Sequence, residues 1–322
     1  MVPLLEIKCL SVRFPWNPNL LGRARAWVQA VRNVSFAIQP GETLGVVGES
    51  GSGKTTLARA IVGLAKPTQG EIWFDGKQLH QKRTATDRAW RSSLQMIFQD
   101  PFGSLDPRLT IEDSVAEGLD IHRRTRTSSQ RRATVLKSLS EVGLNEEHSQ
   151  RLPHELSGGQ RQRVGIARAL VLQPKLLVCD EAVSALDVSV QAQIVNLLKD
   201  LQSRRGIAYL FISHDLAVVA HLSRRIMVMY CGEVVEIGAA REVTDRPLHP
   251  YTRALVAAVP VLDVSRSRTR ILLPGEIPLP LEPPSGCPFH LRCPIANAGR
   301  CRTEVPSLRE IGPGRWVACH LA

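Results

Sequence analysis

The segment that most constrains the fold is a glycine-rich turn, Gly48-Glu49-Ser50-Gly51-Ser52-Gly53-Lys54-Thr55, which fits the phosphate-loop pattern G-x-x-x-x-G-K-[ST]. A short apolar run at 43–47 precedes it, as in a buried parallel strand, and residues 54–64 have helical composition. The glycines let backbone N–H groups face phosphate oxygens, and the helix presents its positive end to the same anion. We therefore predict a strand–loop–helix unit in which Lys54 reaches nucleotide phosphates and Thr55 binds Mg²⁺.

The nucleotide-binding residues predicted from this loop and the first turn of its helix are Gly48, Ser50, Gly51, Gly53, Lys54, Thr55 and Thr56. A second candidate element is the apolar strand pattern at 176–179, which ends in Asp180 and Glu181. A carboxylate pair in this position can hold Mg²⁺ with one member and polarise water with the other. We predict Asp180 as the magnesium ligand and Glu181 as the general base.

Strand and helix patterns alternate along the chain. Strand patterns recur near 71–74, 95–98, 176–179, 207–212 and 226–229, with helical segments between several of them. This alternation predicts an α/β fold around a parallel sheet.

The overall charge points to an acidic partner or to a solvated basic surface. The formal net charge is +11 and the pI is near 9.7, so nucleic acid, an anionic membrane surface or a phosphorylated ligand would each suit. No stretch approaches the ~18–20 apolar residues that span a bilayer, and the first residues lack the pattern of a secretory signal. We therefore expect a cytosolic protein whose membrane role, if any, is peripheral.

The segment Leu156-Ser157-Gly158-Gly159-Gln160-Arg161-Gln162-Arg163 narrows the class. A Ser- and Gly-rich helix start suits a phosphate other than the one held by Lys54. The segment resembles the signature motif of ABC ATPases and stands shortly before Asp180, as it does in that family. The resemblance spans about residues 4–260. It implies binding of ATP and Mg²⁺, and a dimer in which the signature residues contact the γ-phosphate bound by the opposite subunit; those residues are Ser157, Gly158, Gly159 and Gln160.

Three further positions match the same family. By resemblance, Gln99 is the Q-loop glutamine that links Mg²⁺ and water to a membrane subunit, Asp187 belongs to the D-loop, and His214 is the switch histidine that contacts γ-phosphate. The implied catalytic residues are therefore Glu181, Gln99 and His214, and the implied magnesium ligands are Thr55, Gln99 and Asp180.

An aromatic residue near the first strand is expected to stack on adenine. Phe14 fits best, and Trp16 and Trp27 are alternatives; each of them could instead serve packing.

The resemblance also implies the domain organisation. Residues 4–262 are expected to form an ABC ATPase domain with a RecA-like phosphate-loop core, an antiparallel β subdomain and a helical signature subdomain at about 100–172. Composition changes near residue 265, and a proline-dense stretch follows from Pro274 to Pro284. We expect 263–322 to form a small C-terminal extension that contains four cysteines.

The cysteines of this extension are Cys287, Cys293, Cys301 and Cys319, and their spacing lacks the close C-x-x-C pairs of common zinc or ferredoxin sites. Spacing alone leaves metal binding open. The resemblance implies a [4Fe–4S] cluster, with zinc or free thiols as alternatives. The other three cysteines, Cys9, Cys179 and Cys231, are predicted to be small core residues.

Two C-terminal segments, 249–255 and 286–294, resemble the ATP-binding subunits of oligopeptide/dipeptide importers, as does the run 183–193. The resemblance implies a second and commonly non-identical ATPase subunit, two membrane permease subunits and an extracytoplasmic peptide-binding protein. It places the chain peripherally at the cytoplasmic face of the inner membrane. The segment after Gln99, through Pro107, is the expected docking surface for the permeases.

The sequence pattern also bears on functions other than peptide import. Importers of nickel, glutathione and sugars share parts of the pattern. A soluble ABC protein acting on nucleic acid is disfavoured, because the chain has one phosphate loop, one signature and no long coiled-coil insertion. A scaffold for iron–sulfur assembly would lack the importer-like C-terminal segments.

Overall fold

The structure is a computed structural model that describes residues 2–17, 26–79, 87–100, 103–259, 273–275, 281, 284–297 and 299–322. The strands within these residues are β1 (Leu5–Trp16), β2 (Ala26–Ile38), β3 (Thr43–Val47), β4 (Gln69–Phe74), β5 (Lys77–Gln78), β6 (Leu94–Ile97), β7 (Leu176–Asp180), β8 (Ala208–Ile212), β9 (Arg225–Tyr230), β10 (Glu233–Ala239), β11 (Arg309–Gly312) and β12 (Arg315–Val317).

The α-helices are α1 (Lys54–Ile61), α2 (Asp87–Ser93), α3 (Ile111–Ile121), α4 (Ser128–Glu141), α5 (Gly158–Leu170), α6 (Val188–Arg205), α7 (Leu216–Leu222), α8 (Ala240–Asp245), α9 (Pro250–Ala258) and α10 (Arg300–Thr303). Two short 3₁₀ helices, Glu146–Gln150 and Pro153–Glu155, connect α4 to α5. None of the helices in the described part of the chain is both long and apolar enough to cross a bilayer.

The larger sheet has the strand order β11-β12-β10-β9-β3-β8-β7-β6. Strands β9, β3, β8, β7 and β6 run parallel, whereas β10, β12 and β11 are antiparallel to their neighbours. The central strands β3, β7 and β8 are buried along their whole length, which explains their continuous apolar sequence. The predicted α/β fold with a parallel core is confirmed.

A smaller antiparallel sheet, with the order β2-β1-β4-β5, covers one face of the larger one. Side chains alternate between the two faces of each parallel strand. Leu44 and Val46 of β3 join the core beneath the small sheet and α1, whereas Val47 joins the core on the opposite face. The predicted antiparallel β layer is therefore present beside the parallel core.

Helices α3, α4 and α5 pack on one another and contribute to the core that contains Val47, on the face of the larger sheet opposite the small sheet. Two consecutive arginines of α4, Arg131 and Arg132, form ion pairs on this helical surface. Arg131 pairs with Asp113 at 3.1 Å and Asp120 at 3.1 Å, and Arg132 pairs with Glu112 at 3.0 Å and Glu146 at 2.8 Å. These ion pairs account for the two arginines as part of the helical surface, without a nucleic-acid partner.

The C-terminal residues add a strand to the larger sheet and a buried aromatic side chain to its core. Strand β12 pairs with β10, so that Trp316 lies opposite Ile237, and Phe289 is buried in the core on the helical face. Cys179 is buried in the core as predicted. The prediction that Cys9 is a core residue is wrong: it is exposed at an irregularity of β1, where its φ of 49° turns the strand.

Candidate nucleotide-binding site

The predicted site residues gather at one edge of the larger sheet. The phosphate loop follows β3, Gln99 follows β6, Asp180 and Glu181 end β7, and His214 follows β8. These strands are parallel neighbours, so their carboxyl ends meet at the same edge. Residues that are more than a hundred positions apart in the chain therefore line one cleft.

The phosphate loop wraps around the ammonium group of Lys54. Its Nζ donates to the carbonyl oxygens of Gly48 at 2.7 Å and Glu49 at 2.9 Å, and lies 3.3 Å from Ser52 Oγ. Burial lowers the pKa of Lys54, while the carboxylates of Glu181, Asp180 and Glu49 act in the opposite direction. The loop thus holds a cation where phosphate oxygens would enter.

Glycine is required where the loop enters α1. Gly53 has a φ of 100°, and a Cβ atom there would lie 2.2 Å from the carbonyl oxygen of Ala30. Strand β2 therefore lies so close to the loop that only glycine fits at position 53.

Thr55 and Asp180 place two hard oxygen ligands together. The Thr55 hydroxyl donates to Asp180 Oδ1 at 3.1 Å. Burial raises the pKa of Asp180, because a carboxylate withdrawn from water favours its neutral form. Hydroxyl and carboxylate oxygens beside phosphate groups are the ligands that Mg²⁺ prefers, so the residues present fit that ion.

Glu181 is the meeting point of the three predicted catalytic residues. Gln99 Nε2 donates to Glu181 Oε2 at 2.9 Å, and His214 Nδ1 lies 3.6 Å from the same oxygen. The Glu181 side chain is 17% exposed and that of His214 is 61% exposed, so the pair faces the open side of the cleft. A carboxylate held between an amide and an imidazole is suited to orient and deprotonate water.

The cleft has a volume of about 490 Å³. Its lining residues are Phe14, Val28, Ala30, Ser50, Gly51, Gly53, Lys54, Thr55, Thr56, Gln99, Glu181 and His214. Trp16 and Trp27 are not among the described residues that line it. The ring of Trp27 instead stacks on the guanidinium of Arg13, whose Cζ lies 4.6 Å from the ring centroid. The structure thus places Phe14, rather than either tryptophan, at the cleft.

The signature segment lies outside this cleft. Ser157 caps α5: its hydroxyl accepts from Gln160 N–H at 3.3 Å, and Gln160 Oε1 accepts from Ser157 N–H at 2.9 Å. Ser157 and Gly158 are exposed, as is Asp187 at the start of α6. These residues are therefore open to a second subunit and do not contact the phosphate loop of their own chain through any described hydrogen bond.

The tail cysteines lie near one another. The Cys287 N–H donates to the Cys301 carbonyl at 2.9 Å, and burial raises the pKa of Cys287 to about 11, with Cys301, Cys319 and Cys293 acting in the same direction. Within the described residues, however, no three or more His, Cys, Asp or Glu side chains form a group that could hold a metal ion. The predicted metal-binding extension is therefore not supported by this arrangement.

Sequence reasoning missed Val28 and Ala30, which line the cleft. A signal existed, because the antiparallel register places Val28 opposite Phe14, the residue predicted to meet adenine. It also missed Tyr251, whose hydroxyl accepts from the Glu49 N–H at 2.8 Å across 202 positions of sequence. No local pattern reveals that contact.

Comparison with known families gives two matches. Residues 31–184 match the ABC transporter model, and residues 235–301 match the model of the oligopeptide/dipeptide transporter C-terminal region. Among solved structures, the chain is similar to a dimeric ATP-binding cassette in a post-hydrolysis state with ADP and phosphate bound. That likeness has a TM-score of 0.65 at 30% identity, and covers 74% of this chain and 99% of the other.

Curated relatives match over nearly the whole chain. A Sinorhizobium fredii protein named "probable peptide ABC transporter ATP-binding protein" is 51% identical, covering 99% of this chain and 90% of the relative. An oligopeptide transport ATP-binding protein of Bacillus subtilis is 47% identical, covering 99% of this chain and 97% of the relative. With the phosphate loop, the carboxylate pair and the signature on one scaffold, the chain belongs to the ABC transporter ATP-binding proteins of the oligopeptide/dipeptide transporter family.

Proposed function

We propose that this chain hydrolyses ATP to power an importer of dipeptides or oligopeptides. The observation that carries the proposal is the convergence of Lys54, Thr55, Asp180, Glu181 and His214 at one sheet edge, in a chain similar over its full length to proteins named for peptide transport. Cleavage of ATP requires a phosphate cradle, a magnesium site and a base for water, and this edge offers residues for each.

Each residue has a role in the proposed reaction. Lys54 stabilises charge on the β- and γ-phosphates. Thr55, Gln99 and Asp180 would hold Mg²⁺, which supplies charge neutralisation when it is bound. Glu181 accepts the proton of the attacking water. Gln99 keeps the Glu181 carboxylate oriented through its 2.9 Å hydrogen bond, and His214, whose Nδ1 lies 3.6 Å from Glu181 Oε2, would stabilise the γ-phosphate.

The proposed assembly is a dimer of two ATPase subunits on two permease subunits, supplied by an extracytoplasmic peptide-binding protein. Membership of the family implies permease partners and dimerisation. The signature residues Ser157, Gly158, Gly159 and Gln160, together with Asp187, would complete the nucleotide site of the opposite subunit; Ser157, Gly158 and Asp187 are exposed, and Gly159 and Gln160 are half-buried. We propose that the second ATPase subunit is not identical to this chain. We also propose that the assembly works at the cytoplasmic face of the inner membrane.

The proposed permease-docking surface is a cleft of about 230 Å³ between α1, β6 and α5. Leu64 and Phe98 line it and are 62% and 41% exposed. Gln162 also lines it and is buried, yet its Nε2 has no hydrogen-bond partner in the described structure, so an arriving helix could supply an acceptor. Pro101 and Phe102, part of the segment expected from the sequence to dock, lie outside the described residues.

Domain limits follow the same proposal. We propose an ATPase domain over 4–262 with a helical signature part at about 100–172, followed by the extension 263–322.

The decisive experiment is transport by the complete complex in proteoliposomes, with di- and oligopeptides, nickel and glutathione as competing cargoes. Among these cargoes, only the peptides should raise ATP turnover and accumulate in the proteoliposomes. Accumulation of nickel or glutathione instead would replace the cargo assignment and leave the ATPase assignment intact. Stimulation of ATP turnover by nucleic acid without permeases would favour the soluble alternative.

We also propose that Cys287, Cys293, Cys301 and Cys319 are the candidate ligands of a [4Fe–4S] cluster, with zinc as the alternative. The support is the sequence resemblance, together with the backbone hydrogen bond of 2.9 Å that brings Cys287 next to Cys301. Four thiolates are a donor set that either metal accepts. Anaerobic purification followed by iron, sulfide and zinc analysis tests this, and colourless protein that contains none of them would refute it.

A further inference from the structure

One side chain of the C-terminal tail reaches the phosphate loop. Arg292 lies between Cys287 and Cys293, and its side chain is only 8% exposed. Its Nη1 donates to Glu49 Oε2 at 2.7 Å and its Nη2 to Glu49 Oε1 at 3.3 Å, which makes a two-point bond from the tail to the second residue of the loop. Its Nε donates to the Pro274 carbonyl at 3.2 Å, so the guanidinium is held on both sides.

Glu49 is bound through every polar group that it has. Its carboxylate accepts from Arg292, its N–H donates to the Tyr251 hydroxyl at 2.8 Å, and its carbonyl accepts from Lys54 Nζ at 2.9 Å. A chain of contacts therefore runs from the tail through Glu49 to the lysine that faces the phosphates. The carbonyl of Glu49 cannot turn without disturbing one of these three bonds.

The support behind Arg292 is rigid. Tyr230, Tyr251 and Phe289 pack with ring centroids 4.7, 5.2 and 5.5 Å apart, and all three are buried. Burial raises the pKa of Tyr230 to about 12, so its hydroxyl stays neutral, and the hydrogen bonds to Glu49 raise the pKa of Arg292. A two-point arginine–carboxylate bond set against such a wall fixes direction as well as distance.

We propose that Arg292 is a positioning residue of the nucleotide site: by holding Glu49, it fixes the conformation of the phosphate loop around Lys54, so the cysteine tail sets the affinity of the chain for nucleotide. An Arg292 that merely fastened the tail to the core would affect stability and leave nucleotide affinity unchanged. This inference rests on the proposed nucleotide site, and its test must separate the two.

The test measures the dissociation constant of magnesium–ADP by calorimetry on the full chain and on four variants. Arg292→Met keeps the volume but removes the bond, and we expect binding about tenfold weaker, equivalent to about 1.4 kcal/mol. Glu49→Gln, at a less buried position, should weaken binding similarly. The double variant should bind magnesium–ADP no more weakly than the more affected of the two single variants, because both changes remove the same bond. Arg292→Lys restores the charge without the two-point geometry and should recover only part of the affinity.

The matched control is Arg300→Met, which removes the exposed ion pair to Glu304 in the same tail and should leave binding unchanged. Binding within twofold of wild type in both single variants, with unfolding temperatures showing folded protein, would overturn the inference. If Arg292→Met does not fold, Glu49→Gln decides alone. Failure of the wild-type chain itself to bind magnesium–ADP would instead refute the proposed function.

Discussion

Glu181 occupies an unusual backbone conformation at the point where β7 ends. Its φ of 47° lies in the left-handed region, which costs a non-glycine residue on the order of 1 kcal/mol or more. Its N–H donates to the Ile212 carbonyl at 3.0 Å, and its own carbonyl accepts from Ser184, so the turn is fixed from both sides. This turn directs the Glu181 carboxylate toward Gln99 and His214.

Glu181→Gln should nearly abolish ATP hydrolysis while preserving ATP binding. The amide keeps the shape of the side chain but cannot accept a proton from water, so we expect phosphate release to fall by about 100-fold or more. Phosphate release and ATP binding are measured in parallel, with the exposed Glu147→Gln as control. Normal turnover by Glu181→Gln would remove the general-base assignment.

At the scale of elements, the start of α1 depends on one close approach. Gly53 combines a φ of 100° with a position where any Cβ would meet the Ala30 carbonyl of β2. Gly53→Ala should therefore displace the loop from β2 and weaken nucleotide binding by about tenfold or more, at a cost in stability of about 1–3 kcal/mol.

Gly76→Ala is the matched control for this change. Gly76 has a φ of 74° but open space where a Cβ would be, so its substitution adds backbone strain without a clash or contact with the site. Calorimetric binding and thermal unfolding of both variants separate the two effects. Equal nucleotide affinity in the two variants would contradict the proposed role of the approach to β2.

The start of α9 predicts a pH dependence of stability. His249 is buried, and its Nδ1 accepts from the Tyr251 N–H at 3.1 Å, which requires that nitrogen to be unprotonated. Burial lowers the pKa of His249 from 6.5 to about 3, and Arg253 acts in the same direction. Below pH 6.5 the unfolded chain therefore binds a proton that the folded chain refuses, so this contribution to stability is lost as the pH falls toward 3.

His249→Asn keeps an acceptor for the helix start but does not titrate. Its unfolding temperature should fall less than that of wild type between pH 7 and pH 5, a difference on the order of 2 kcal/mol in stability. The exposed His154→Asn serves as control in scanning calorimetry at constant ionic strength. Parallel pH curves for wild type and His249→Asn would show that His249 does not contribute.

At the scale of the whole molecule, the exposed signature predicts assembly. Gly158 stands at the start of α5 with space for a small side chain, because a Cβ there would lie 3.7 Å from Leu186. Gly158→Asp adds a negative charge where phosphate of the opposite subunit is expected. In a Glu181→Gln background, it should abolish ATP-dependent dimers in size-exclusion chromatography while ADP binding by the single chain stays unchanged.

Gly312→Asp provides the matched control for dimerisation. Gly312 lies on β11, where a Cβ would meet open space, so the same added charge is placed far from the signature helix. Dimers that persist in Gly158→Asp would count against a shared nucleotide site.

The residues of the candidate site could be chosen from sequence because each motif is short and chemically distinctive. The phosphate loop, the Asp180–Glu181 pair and the signature are contiguous, so local pattern was sufficient to find them. Local pattern was weaker at element ends. The helix predicted over 54–64 ends at Ile61, because Gly63 takes the left-handed conformation, with a φ of 79°, that stops a helix.

Taken alone, the sequence determined the parallel α/β core and the chemistry available at its edge, since apolar strand runs and phosphate-binding turns are encoded locally. Only the tertiary structure decided which distant residues meet there. The contacts of Gln99 and His214 with Glu181, the place of Phe14 at the cleft and the bond between Arg292 and Glu49 depend on strand order and sheet register. The spacing of the tail cysteines could not show how their side chains point, because orientation depends on how β12 and the segment around Phe289 pack against the core.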